Sequence, residues 1–156
     1  MTEKVVAFTV SGLREKYLRE SLDSWAEVRG RDTWTFLFCL EPCDLVFPVE
    51  AFWGWARDVF PGCHLLKNGR RLGCMRNTRR AMDFAFGDLG AGFAVLAEED
   101  VRVSPDVLEY FTWASAAYQG DGNLAAVCAH AKTSENTDLS AATRVPWFSP
   151  DRKSVV

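Results

Sequence analysis

The chain has 156 residues, 48% of them hydrophobic and 25% charged, with a formal charge of −3. That composition belongs to a packed globular protein and excludes wholesale disorder. The acidic balance argues against nonspecific nucleic-acid binding, which draws most of its affinity from a basic face. A chain of this length buries roughly two-thirds of its unfolded surface, enough for one core. No apolar run approaches the ~18 residues of a membrane helix. Met1-Thr2-Glu3-Lys4 leads into a strand-like run without the layout of a signal peptide. The expectation is a soluble, cytoplasmic protein.

In chain order, Val5 to Val10 is a continuous apolar run rich in β-branched residues, as in a strand buried on both faces of a parallel sheet. Leu18, Leu22, Trp25 and Ala26 share one helical face. Trp34 to Leu40 predicts a second strand. Phe52, Trp55, Ala56 and Val59 predict a helix stopped by Pro61-Gly62. Cys63 to Leu66 reads as a third strand and Asn68-Gly69 as a turn. Gly73 opens a helix with Met75, Met82, Ala85 and Phe86 on one face. Phe93 to Ala97 is a fourth strand. Ser104-Pro105-Asp106 predicts a helix start with a capping hydroxyl, and Val107, Leu108, Phe111 and Ala114 predict its inward face. Leu124 to Ala129 reads as a fifth strand. Beyond it, residues 133–156 show no complete element. The alternation predicts an α/β fold, a mostly parallel sheet with helices on both faces.

The cysteines, Cys39, Cys43, Cys63, Cys74 and Cys128, are odd in number and lack C-x-x-C spacing. Cys63-His64 and Cys128 near His130 are metal-capable pairs, but the four-ligand pattern of structural zinc is missing, and buried thiols are the expectation. Most of the six tryptophans lie in apolar or amphipathic segments and read as core. Trp147, in the irregular tail, reads equally as a lid or as cover for a sheet edge.

Ligands of such sheets bind beyond the carboxyl ends of the strands. The segments there carry the chemistry. Glu98-Glu99-Asp100 puts three adjacent carboxylates after the fourth strand, a costly arrangement unless a cation or donor groups offset it. Oxygen ligands suit Mn²⁺ or Mg²⁺, and such an ion commonly bridges phosphate oxygens. The competing reading is a solvated acidic turn. Between Asn68 and Arg80 the chain concentrates five arginines, which suit phosphate or, equally, a solvated face with pairs such as Arg79 with Asp83. Together the two segments favour a nucleoside diphosphate. The P-loop, the dinucleotide fingerprint and the nucleophile elbow are all missing. An ATPase, a Rossmann dehydrogenase and an α/β-hydrolase are thereby disfavoured.

The stretch from Glu98 to Phe111, with Ser104-Pro105-Asp106 and Glu109-Tyr110-Phe111, resembles the acidic metal motif and following helix of nucleotide-sugar glycosyltransferases with the A-type (GT-A) fold. It is nearest to the N-acetylglucosaminyltransferase I-like group. Leu72-Gly73 to Arg76-Asn77 is similar to a segment of the large inverting family 2-like group. The resemblance covers about residues 5 to 132 and implies a Rossmann-like GT-A core over 1–132. Residues 133–156 would begin an acceptor-binding half that is truncated or missing. The implied activity is metal-dependent transfer of a hexosyl or N-acetylhexosaminyl group from a nucleoside-diphosphate sugar, expected to be a UDP-sugar, to an unknown acceptor. By position the resemblance implies Asp100 as the ligand of Mn²⁺ or Mg²⁺, Glu98 and Glu99 near the ribose and sugar, and Ser11, Gly12 and Arg14 at the nucleotide. It places Glu41 where an acid reads the base, and Arg76 in the donor wall. Glu99 departs from the Asp usual at its position. A general base for an inverting transfer is unassigned; Glu135 and Asp138 are the acids available soon after the fifth strand. The alternatives are a non-catalytic nucleotide-binding fragment, or a UDP-sugar hydrolase without acceptor machinery. A sugar-nucleotide pyrophosphorylase ranks lower, because Ser11-Gly12-Leu13-Arg14 is poor in glycine.

Overall fold

The computed structural model describes residues 3–12, 14–42, 48–118 and 126–129. The first strand, β1 (Glu3–Val10), explains the architecture. Val5, Val6, Ala7, Phe8 and Val10 are all fully buried, so both faces of the strand are covered. It lies between β2 (Thr35–Leu40) and β4 (Ala91–Glu98), and β3 (His64–Lys67) completes the order β3-β2-β1-β4. All pairings are parallel, with Val10 opposite Leu40 and Thr9 opposite Glu98. The helices that connect and cover the strands are α1 (Glu15–Ala26), α2 (Val49–Val59), α3 (Cys74–Asp83) and α4 (Val107–Ala117).

Alternation along the strands sorts side chains into two layers. Val6, Phe8 and Val10, with Phe36 and Phe38, pack against α1, α2 and α4. This layer is aromatic: Phe36 stacks on Phe60 at 4.1 Å, and Trp25 meets the edges of Phe8 and Phe36. Val5, Ala7, Leu37 and Cys39 face the other way, against Ala81 and Ala85 of the α3 segment. Small side chains on both partners let α3 lie close to the sheet.

Three expectations need correction. Met75 and Phe86 do not face inward with Met82 and Ala85; they are 85% and 49% exposed, and the buried positions of α3 are Asn77 and Ala81, followed by Ala85. The core position is held by a polar residue, so the apolar pattern pointed to the wrong face. A wide turn over Phe84–Asp88, closed by Leu89 N–H to the Phe84 carbonyl at 3.0 Å, follows, and Phe86 stands one position past buried Ala85, off the inward face. Ser104 does not cap α4. Its hydroxyl donates to the Asp106 carboxylate, which lowers that group's pKa, and the helix begins at Val107 without a side-chain cap. Residues 126–129 carry no strand, while Leu124 and Ala125 lie outside the described residues; the described sheet has four strands.

The described cysteines are free thiols; Cys39 is buried and Cys74 exposed. Cys43, His130, Trp147 and the whole of 133–156 lie outside the described residues. Among the described residues, no helix is long and apolar enough to cross a membrane.

Candidate functional site

The four parallel strands end on one edge, and the segments leaving that edge meet there. Beyond β1 the chain turns through Gly12, whose φ of 72° is a left-handed value suited to glycine. The turn aims two consecutive amides at one carboxylate. Ser11 N–H (2.6 Å) and Gly12 N–H (3.2 Å) both donate to Glu99 Oε2, and the Ser11 hydroxyl donates to Oε1. Glu99 is only 3% exposed. The central acid of the triplet is thus spent on fixing the loop after β1.

Its neighbours differ. Asp100 is partly exposed and pairs with Arg14, whose guanidinium lies 2.9 Å from Oδ2 and 3.6 Å from Glu99. Glu98 is half-buried and lines a cleft of about 170 Å³. The turn carrying Asp100 is held from α1. Buried Ser21 donates to the Val101 carbonyl at 2.6 Å, and Ser24 Oγ accepts the Val103 N–H at 3.1 Å. These serines were not singled out in the sequence. Their signal was a polar residue beside the apolar positions of a buried helical face.

The opposite wall is the entry to α3. Glu41, at the end of β2 and 2% exposed, accepts the Leu72 N–H (3.0 and 2.8 Å) and the Gly73 N–H (2.9 Å). Gly73 adopts φ 83°, ψ 160°, a conformation that only glycine visits readily. A second buried group lies behind it. Asn77 donates to the Cys39 carbonyl (3.1 Å) and accepts from Asn68 Nδ2 (2.7 Å) and Cys39 Sγ (3.0 Å). Arg80 donates to Asn68 Oδ1. Arg71 lines the cleft on this wall. Arg76 is exposed and does not line it.

The structure therefore brings Ser11, Glu41, Glu98, Glu99 and Asp100 together around one cleft, with Gly12 and Arg14 beside it. Arg71, Cys74 and Asn77 also line it, unassigned by the sequence reading. Glu135 and Asp138 lie outside the described residues. The enclosed volume suits one polar group such as a diphosphate; a whole nucleotide sugar would extend beyond it. Its exposed ionic groups are Asp100 and Arg71, and half-buried Glu98 lines it beside Asp100. Carboxylate oxygens are hard donors that fit Mg²⁺ or Mn²⁺. Among the described residues no three His, Cys, Asp or Glu side chains converge as a metal cage. An ion at Asp100 would therefore need ligand oxygens and water to complete its shell.

No protein-family model matches the chain, and no curated protein matches it. Solved structures do. The fold is similar to S. aureus TarS 1-349 in complex with UDP, with a TM-score of 0.57 and 13% identity over 81% of this chain and 35% of that one. It is likewise similar to the same protein in complex with UDP-GlcNAc, at 0.56 and 13% over 82% and 34%. A further structure of S. aureus TarS 1-349 gives 0.55 and 12% over 81% and 35%. This chain spans about a third of the length of those structures. The fold is the α/β, parallel-sheet GT-A type.

Proposed function

We propose that this chain is the donor-binding core of a glycosyltransferase acting on a nucleoside-diphosphate sugar, with a UDP-sugar as the donor. The observation that carries the reading is the cleft itself. It opens at the carboxyl edge of a GT-A sheet, with Asp100 and Glu98 on one wall and Arg71 on the other. The solved structures sharing the fold that hold UDP and UDP-GlcNAc add support.

The roles follow from the chemistry of the residues. Asp100, with Glu98 nearby, would hold Mn²⁺ or Mg²⁺, which supplies positive charge for the diphosphate leaving group. Ser11 and Gly12 shape the floor, locked by Glu99. Arg14, paired with Asp100, is free to turn toward phosphate when that carboxylate is engaged, because half of its side chain is exposed. Arg71 adds positive potential from the α3 wall. Glu135 and Asp138 stay the proposed sources of a base for the acceptor hydroxyl. The transferred group is proposed to be hexosyl or N-acetylhexosaminyl, after the motif resemblance, and the compartment cytoplasmic.

Calorimetry with UDP, with and without Mn²⁺, on wild type and Asp100→Ala tests the reading. Binding should require the ion and collapse in the variant. Metal-dependent binding that survives loss of Asp100 overturns the assignment. A second reading is the non-catalytic alternative raised by the sequence. In it the chain binds the nucleotide, or slowly hydrolyses a UDP-sugar, and transfers to no acceptor. Product analysis with UDP-sugar and mixed acceptors separates the two.

A further inference from the structure

The loop between β3 and α3 is pinned at both ends by buried side chains. At its start, the Asn68 N–H donates to the Leu40 carbonyl (2.8 Å) and its side chain is locked by Asn77 and Arg80. At its end, Leu72 and Gly73 donate to Glu41. Between the anchors only Gly69, Arg70 and Arg71 stand exposed, and Arg71 lines the cleft. Arg71 makes no ion pair among the described residues.

Glu41 is equally constrained. Its own N–H donates to the Val10 carbonyl at 2.8 Å, and both carboxylate oxygens accept loop amides. This buried carboxylate is already engaged in holding the loop, through the amides of Leu72 and Gly73. We propose that Glu41 is a positioning residue that sets Arg71 over the cleft, and that Arg71 binds the diphosphate of the donor. The proposal rests on the nucleotide-sugar reading above and assigns Glu41 a role other than reading the base.

Substitution by Gln removes the negative charge and replaces one of the two oxygens that accept the Leu72 N–H with an N–H₂ facing that backbone donor. The loop that carries Arg71 loosens, and a ligand without a diphosphate loses no contact by it. The experiment titrates UDP and uridine, both with Mn²⁺, into wild type, Glu41→Gln, Arg71→Ala and the double variant. A charge-assisted hydrogen bond to phosphate corresponds to about a tenfold change in affinity or more. Arg71→Ala and Glu41→Gln should each weaken UDP by about tenfold and leave uridine within about twofold. In the Arg71→Ala background, Glu41→Gln should add almost nothing, because the two act through one contact. Equal weakening of uridine and UDP by Glu41→Gln overturns the proposal in favour of base reading. So does a full Glu41→Gln effect that persists without Arg71. Should Glu41→Gln fail to fold, exposed Arg71→Ala decides alone, and unchanged UDP affinity overturns the proposal. Wild type that binds neither ligand overturns the nucleotide-sugar reading itself, and this inference with it. Wild type that binds UDP normally beside an unaffected Arg71→Ala overturns only the inference.

Discussion

Glu99 and Asp100 are adjacent acids, and the structure predicts very unequal losses of stability for their removal. Glu99→Ala deletes the acceptor of the Ser11 N–H, the Gly12 N–H and the Ser11 hydroxyl. The hydroxyl can rotate to another partner, but the two amides are held by the backbone. Each stranded buried donor costs about 1–3 kcal/mol. Water entering from the adjoining cleft offsets part of that, so the net loss should be about 2–4 kcal/mol. Asp100→Ala breaks one ion pair whose partners are 51% and 34% exposed, a contact of the kind worth about 0–1 kcal/mol. Urea unfolding at neutral pH, followed by tryptophan fluorescence, compares the midpoints at constant m. The two variants should separate by at least about 1 kcal/mol, with Glu99→Ala the weaker. If Glu99→Ala unfolds at the same midpoint as Asp100→Ala, the carboxylate does not bear the loop and the division of roles within the triplet is wrong.

Asn77→Ala should cost about 3–4 kcal/mol in the same assay, because it strands the Cys39 carbonyl and the Asn68 amide in the core. Gly73→Ala meets no atom within 4 Å, so its loss of about 1–3 kcal/mol should come wholly from backbone strain at φ +83°. Burial pushes the Cys39 thiol from 9.0 up to about 11. The unfolded chain then releases this proton first, so stability is intact below pH 9 and falls between pH 9 and 11. The fall is on the order of 2–3 kcal/mol, and Cys39→Ala should lack it when unfolding is followed across that range. Cys74 is exposed and lines the cleft, so iodoacetamide should label it in the native protein and UDP should slow the labelling. Equal labelling with and without UDP would place the nucleotide elsewhere.

The central strand was legible because burial on both faces leaves no room for polar alternation, and Val5 to Val10 shows none until Thr9. The amphipathic faces of α1 and α4 were legible for the complementary reason: Leu18, Leu22 and Trp25, and Val107, Leu108 and Phe111, recur at helical spacing and are buried. The α3 face was not, because Asn77 occupies its core position and only long-range partners on β2 and the β3–α3 loop make an amide acceptable there. The arginine cluster was visible as composition. Which arginine enters the cleft depends on how Glu41 and Asn68 tie the loop down, and those bonds span 31 and 9 residues of sequence. Local patterning carries no record of them.

The acidic triplet shows how such a site could be read more closely. Val95 and Ala97 of β4 belong to the layer against α1, α2 and α4, whereas Ala94 belongs to the layer against α3. Continuing the alternation by one residue puts Glu98 on the α3 side, where the cleft opens. The chain then turns, and Glu99 is drawn under the loop after β1 while Asp100 emerges toward solvent. Adjacent carboxylates of the same charge therefore sit in different surroundings, even where Arg14 approaches both Glu99 and Asp100. What distinguishes them is solvent: Glu41 and Glu99 are buried and each accepts two backbone amides, so each stabilises a loop. Asp100 keeps access to water, as Arg71 does across the cleft, and under the proposed function these are the groups that would turn to a diphosphate and its ion.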